Sequence, residues 1–331
     1  MRKTVRLLAA CLALLLLPSC VKTTTASPVY AFDTVFTQTI IGGEETPSYV
    51  ITGDEYHFSR TDPKAELYRF NEAGGGEADR ELAALLNEAM RIAEKTDGAF
   101  DFTLAPVSDL WDFPSGKNAI PSEAALAEAL AKTGYERVTR DGDRYDLHGT
   151  SVDLGGIAKG YEIGNLIDIY RRHEVRGAIV SCSSSVGVYG EKANGDAFQI
   201  GIRDPNGNAN DILGVLTLQD SILSTSGDYE RCFLVDGVRY HHILDPETGY
   251  PVQNGLRSVT VVSPLTDAPT LAGSRTDALA TALFVLGRGE KADALLAEYG
   301  MEAIFVTDDG IFLTAGLNGK FTTERPVTVL D

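Results

Sequence analysis

Cysteine is scarce in this 331-residue chain: Cys11, Cys20, Cys182 and Cys232 are the only four, and no two have CxxC spacing. That leaves a paired-thiolate zinc site or thioredoxin-like redox chemistry without support. Basic residues are also few, 29 Lys and Arg against 47 Asp and Glu for a formal charge of −18. Nucleic acid is disfavoured as a partner, because phosphate backbones are bound by an excess of Lys and Arg. An anionic membrane surface is disfavoured on the same ground. The sequence has no P-loop and no GxGxxG, and its long apolar run, LLAACLALLLL, is too short to span a bilayer as a helix. What is present, 44% hydrophobic and 8% aromatic residues, is a globular composition rather than a disordered or fibrous one. The length suffices to bury a large core without disulfides.

The apolar run belongs to an export signal. Arg2, Lys3 and Arg6 form a basic region ahead of it, and Leu17, Pro18, Ser19 and Cys20 follow, resembling a bacterial lipobox. Cleavage before Cys20 would leave a thiol that carries lipid and take the formal charge from −18 to −21 by removing those three basic residues. An ordinary secretory signal with an incidental cysteine is the alternative. Either way the expectation is an exported protein, lipid-anchored on the outer face of a bacterial cell membrane or in the periplasm. Residues 1–19 are then the signal, 20–31 the lipidated cysteine and a Thr-rich tether, and 32–331 one domain without an internal linker. Cys182 and Cys232 allow one disulfide or two separate thiols.

Hydrophobic spacing predicts helices over residues 79–96, 122–133, 157–173, 275–286 and 289–299. Strand-like runs bunch between 176 and 263, and two more, AIFVT and GIFLTA, lie near the end. Bunched rather than alternating strands favour an α+β fold with mixed, largely antiparallel sheets and packed helices.

Several short segments have residues suited to chemistry. In SVDLGGIAKGY, a strand-like run enters Gly155 and Gly156 just before a helix, so backbone N–H groups could receive a phosphate, with Lys159 as counter-charge. The competing reading is tight strand-to-helix packing. In TDALATALFVLG, Asp277 and Thr281 stand four apart on one helix face. They are hard oxygen ligands of the kind Mg²⁺ accepts, although from this segment alone an Asp favoured by the helix dipole, with Thr281 simply packed, is the simpler explanation. In RYHHILDPETGYP, adjacent His241 and His242 on a strand face opposite sides, so only one can look into a site as a general base. Asp245, Pro246 and Gly249 supply a turn. TDGAFDFTLAPV and STSGDYER offer small polar groups beside an aromatic ring, which suits a planar ligand or simply a turn.

In this order the segments resemble the ApbE family of bacterial FAD:protein FMN transferases, flavin-trafficking lipoproteins. The resemblance rests on FDTVFTQ, FSRTDPKAELYRFN, TDGAFDFTLAPV with LWDF, VDLGGIAKGY, IGIRDP, STSGDYER, YHHILDPETGYP and TDALATALFVLG, and covers residues 32–331. It implies a T-fold-related α+β enzyme that cleaves FAD in the presence of Mg²⁺, attaches FMN to a Thr or Ser hydroxyl of an exported or membrane acceptor, and releases AMP. The acceptor would carry a Ser/Thr-Gly-Ala-Ser/Thr-type segment, which this chain itself lacks. By resemblance the metal ligands fall on the main-chain carbonyl of Ala158 and the side chains of Asp277 and Thr281. The flavin and nucleotide contacts fall on Phe32, Ala99, Phe100, Asp101, Lys159, Tyr161, Thr225, Ser226, His242 and Asp245. His242, preceding the DPETG turn, matches the expected base, with Asp277 as the second catalytic residue. The chain departs from the family pattern at Phe32, Thr61, Gly164 and the SCSSS run at 181–185. Two other readings stay open: hydrolysis of FAD to FMN and AMP, and a flavin- or solute-binding lipoprotein without turnover.

Overall fold

A computed structural model describes residues 21–44 and 48–330; the signal and Cys20 lie outside the described residues. The fold is α+β. Its principal sheet has ten strands, of which nine run in the order 23–25, 34–41, 177–182, 185–190, 221–227, 256–264, 302–307, 311–313 and 327–329, with 29–31 paired beside 34–41. All neighbours are antiparallel except Ile311–Leu313 with Val327–Val329. Residues 21–31, expected to be a tether, are instead partly built into this sheet. Thr23–Thr25 pairs with Thr39–Ile41 and Val29–Ala31 with Thr34–Phe36. The β-branched threonines that read as linker composition are good strand formers once an edge is available.

Two helices, Ala158–Arg172 and Pro269–Leu286, lie side by side on one face of the sheet. Leu279, Leu283 and Phe284 of the second pack with Val259 and Val261 of the sheet and with Leu82, Leu85 and Leu86 of helix Arg80–Lys95. Ile163, Leu166 and Ile167 of the first pack with Ala178 and Val180. The other face of the sheet carries Val188, Leu223 and Val262 and is covered by Phe198, Ile200, Ile202 and Leu216, which belong to a separate three-stranded sheet. Among the described residues no helix is long and apolar enough to cross a membrane. Cys182 and Cys232 are free thiols, the first buried and the second exposed.

The two central helices touch through glycine. A β-carbon at Gly273 would run into the Gly160 carbonyl, and one at Gly164 into the Pro269 carbonyl. Gly164 is therefore required by packing, although it departs from the family pattern. Close approach also explains why the helix expected from residue 275 begins at Pro269: the small residues of PTLAGS look like loop, yet they form its contact face. Gly273→Ala is expected to lower stability by roughly 1–3 kcal/mol, the usual cost of overpacking. Chemical denaturation checks this, and an unchanged midpoint would count against glycine-mediated contact.

Candidate functional site

The helix pair brings together residues that are far apart in sequence. Asp277 is buried, and its Oδ2 accepts the Gly160 N–H at 3.0 Å, with the Lys159 ammonium 3.8 Å from the same oxygen. One turn on, the Thr281 hydroxyl lies 3.4 Å from the Ser226 hydroxyl, on the strand Ser221–Gly227. Gly156 closes this corner, because a β-carbon there would stand 3.2 Å from the Phe100 ring and 3.5 Å from Thr281 Oγ1. Ala158 begins the helix whose first turn faces Asp277. A buried carboxylate with a hydroxyl one turn away and a second hydroxyl beside it is an all-oxygen donor set, which fits a hard divalent cation.

The glycine turn is not an open phosphate cradle. The Gly155 N–H donates to Asp153 Oδ1 at 2.8 Å, and those of Ile157 and Ala158 donate to the Leu154 carbonyl. Asp153 takes the donor that a phosphate would need. Lys159 turns back to donate to the Gly155 carbonyl at 2.6 Å.

The two histidines separate as strand alternation requires. His241 is buried; its Nδ1 accepts the Ile243 N–H, so Nε2 carries the proton and donates to the Val252 carbonyl at 2.9 Å. Burial lowers its pKa. His242 is exposed. Crowding by the surrounding protein, with the positive charges of Arg231 and Lys159, pushes its pKa down and favours the neutral ring. The hairpin leading to His242 is anchored by the buried Asp228, which accepts from Arg239 at 2.7 Å and Arg257 at 2.8 Å. Asp228 thus serves the scaffold rather than offering a free polar group.

The remaining expected contacts divide. Ser226 faces Thr281, but Thr225 points to the other face of the sheet and shares a 2.8 Å hydrogen bond with Thr260. Phe100 and Ala99 are buried beside Gly156 and in the adjoining loop. Asp101 is held within that loop: its Oδ1 accepts from the Thr103 backbone and hydroxyl, and burial raises its pKa. Tyr161 packs edge-on against Phe58 at 5.3 Å, and burial with nearby acidic charge raises its pKa. Phe32 and Asp33 form a two-residue hairpin turn, both at positive φ, with the Phe32 N–H held by Glu55 Oε1 at 2.9 Å. Arg231 reaches Asp33 at 3.5 Å, tying this turn to the His242 hairpin. Asp245 Oδ1 caps its own turn through the Glu247 N–H. Thr61 is exposed and Ser59 is its hydroxyl partner. In the SCSSS run, Ser181 bonds Thr37 and Ser185 bonds Ser224, while burial pushes the Cys182 thiol up to about 12.

Sequence reasoning missed the residues that hold the glycine turn. Asn71 pairs with both backbone groups of Val152 at 2.8 Å, and Arg60 bonds Asp153 Oδ2 at 2.8 Å. Both lie in FSRTDPKAELYRFN, whose polar residues carried no visible partner in the sequence. A second polar group in the same region, His57 with Glu66 and Asp79 at 3.1 Å each, ties two helix ends to the cap of a third.

The profile of the ApbE family matches residues 32–305. A Treponema pallidum protein named FAD:protein FMN transferase is 36% identical over 274 residues, covering 75% of this chain and 73% of its own. The crystal structure of the ApbE protein from Thermotoga maritima superimposes with a TM-score of 0.78 at 31% identity, covering 90% of this chain and 99% of that one. The flavin transferase ApbE from Vibrio cholerae gives 0.78 at 25% identity, covering 91% and 99%. By sequence and by the arrangement of its helices and sheet, this chain belongs to the ApbE family.

Proposed function

We propose that the protein is an FAD:protein FMN transferase that attaches FMN to a Thr or Ser hydroxyl of an acceptor protein and releases AMP. The observation that carries the reading is the meeting of Asp277, Thr281, Ser226 and Lys159 across the glycine-packed helices, in a chain of this family. Asp277, Thr281 and the Ala158 carbonyl would hold Mg²⁺, which when bound supplies positive charge against the pyrophosphate. The reaction joins the acceptor oxygen to the FMN phosphorus and breaks the phosphorus–oxygen bond to AMP. His242 takes the proton of the incoming hydroxyl. Lys159 adds positive charge beside the leaving phosphate, and the Phe32 and Phe100 rings line the flavin side. The protein's remaining role is positioning.

The N-terminal segment supports export, lipidation at Cys20 and action on exported or membrane acceptors. The test is to incubate the protein with FAD, Mg²⁺ and a domain carrying a Ser/Thr-Gly-Ala-Ser/Thr segment, then measure acceptor mass and AMP. Gain of one FMN with matching AMP is expected. AMP with free FMN and unmodified acceptor would indicate a hydrolase, and neither product would indicate a flavin-binding protein.

A further inference from the structure

The position of Lys159 is unusual for a cation next to a buried carboxylate. A charge-assisted contact of this kind normally closes to about 2.7–2.9 Å. Here the ammonium stays 3.8 Å from Asp277 Oδ2 and makes its short bond, 2.6 Å, to the Gly155 carbonyl. Where that carbonyl sits therefore decides how near the charge comes to Asp277. Gly155 is in turn fixed by Asp153, whose Oδ1 accepts its N–H at 2.8 Å. Asp153 is fixed by its own N–H to the Phe102 carbonyl and by Arg60, which bonds Oδ2 at 2.8 Å. The far end of Arg60 is held by Asp109 at 2.8 Å. The small size of Gly155 is part of the arrangement, because a β-carbon there would stand 3.0 Å from Asp153 Oδ1.

We propose that Arg60 and Asp153 are positioning residues that hold the Gly155 carbonyl where it restrains Lys159, and so keep Asp277 free to ligate a divalent cation. The inference rests on the reading of Asp277 as a metal ligand. Without Arg60, the Asp153 carboxylate loses the partner that orients it, the turn shifts, and Lys159 closes onto Asp277. The ammonium then competes with the cation for the same oxygen. A purely structural role for Arg60 would lower stability without making the loss depend on Lys159.

The test measures binding of Mn²⁺ alone to the full-length protein by calorimetry, without FAD or acceptor. Arg60→Gln and Asp153→Asn are each expected to weaken Mn²⁺ binding about tenfold or more, the usual effect of removing a group that orients a ligand. Arg60→Lys, which keeps the charge but cannot span Asp153 and Asp109 with one planar group, is expected to fall between wild type and Arg60→Gln. Adding Lys159→Met to Arg60→Gln is expected to restore most of the lost affinity. Mn²⁺ binding that survives Asp277→Ala overturns the metal-site reading and this proposal with it. Binding lost in Asp277→Ala but unchanged in Arg60→Gln and Arg60→Lys overturns the proposal alone, as does a double variant that binds no better than Arg60→Gln.

Discussion

Asp277→Asn is expected to lower FMN transfer by about 10³-fold or more while leaving the fold intact. The asparagine oxygen can still accept the Gly160 N–H that Asp277 Oδ2 accepts at 3.0 Å. The helix contact through Gly160 and Gly273 therefore persists. What disappears is the negative charge, and with it the strongest ligand of the proposed cation site. Asp277→Ala is expected to lose at least as much activity and also stability, because it leaves the Gly160 N–H unpaired in a buried place at a cost of about 1–3 kcal/mol. Comparing transfer rates and denaturation midpoints of the two variants separates the roles. An Asn variant within tenfold of wild type would show that Asp277 serves the helix pair and not the chemistry.

How far the sequence reveals this site depends on whether each residue's partner is local. Asp277 and Thr281 are legible because helical spacing alone puts them on one face. The separation of His241 from His242 is legible because strand alternation requires it. The same alternation, applied to Thr225 and Ser226, divides that pair as well, and the strand register confirms that only Ser226 looks toward Thr281. The glycine turn is where local reasoning fails. A Gly-Gly before a helix has the appearance of an anion site, but Asp153 two residues earlier takes the Gly155 N–H, and the reason Asp153 is oriented to do so is Arg60, 93 residues away. Asn71 acts on Val152 at comparable distance, |i−j| of 81.

Fold boundaries follow the same pattern. Asp79 and Ser122 cap their helices through nearby N–H groups, so those starts can be read directly. The start at Pro269 cannot, since PTLAGS makes sense as helix only against the glycines of a neighbour in another part of the chain. Helices Ser48–Phe58, Glu66–Glu72 and Ala105–Trp111 were absent from the expected set. The last two have seven residues each, too short for a clear period, and they are stabilised by contacts made elsewhere: Leu67 and Phe70 in the main core, Trp111 by its ring stack with Tyr240 and its hydrogen bond to the Gly249 carbonyl.

His242→Ala is expected to reduce FMN transfer to the acceptor by about 10²–10⁴-fold, the range for a positioned proton acceptor. Its sign with pH follows from the depressed pKa. A base acts in its neutral form, that form is present above the pKa, and lowering the pKa extends it toward acid. Transfer is therefore expected to lose less to His242 protonation as pH falls from 8 to 6 than it would with a histidine at its ordinary value of about 6.5, which would lose most of its neutral form over that interval. Single-turnover rates across this range, for wild type and His242→Gln, check both parts. Glutamine can keep a hydrogen bond to the incoming hydroxyl but cannot take its proton, so it should be as slow as alanine if proton transfer is the role. A Gln variant close to wild type would reduce His242 to an orienting group. FAD binding, followed by flavin fluorescence, is expected to change far less than the transfer rate in both variants if the ring's proposed action on the acceptor hydroxyl is its main role. A parallel loss of flavin binding would place His242 in the nucleotide contact instead and move the search for the base to another residue on that face.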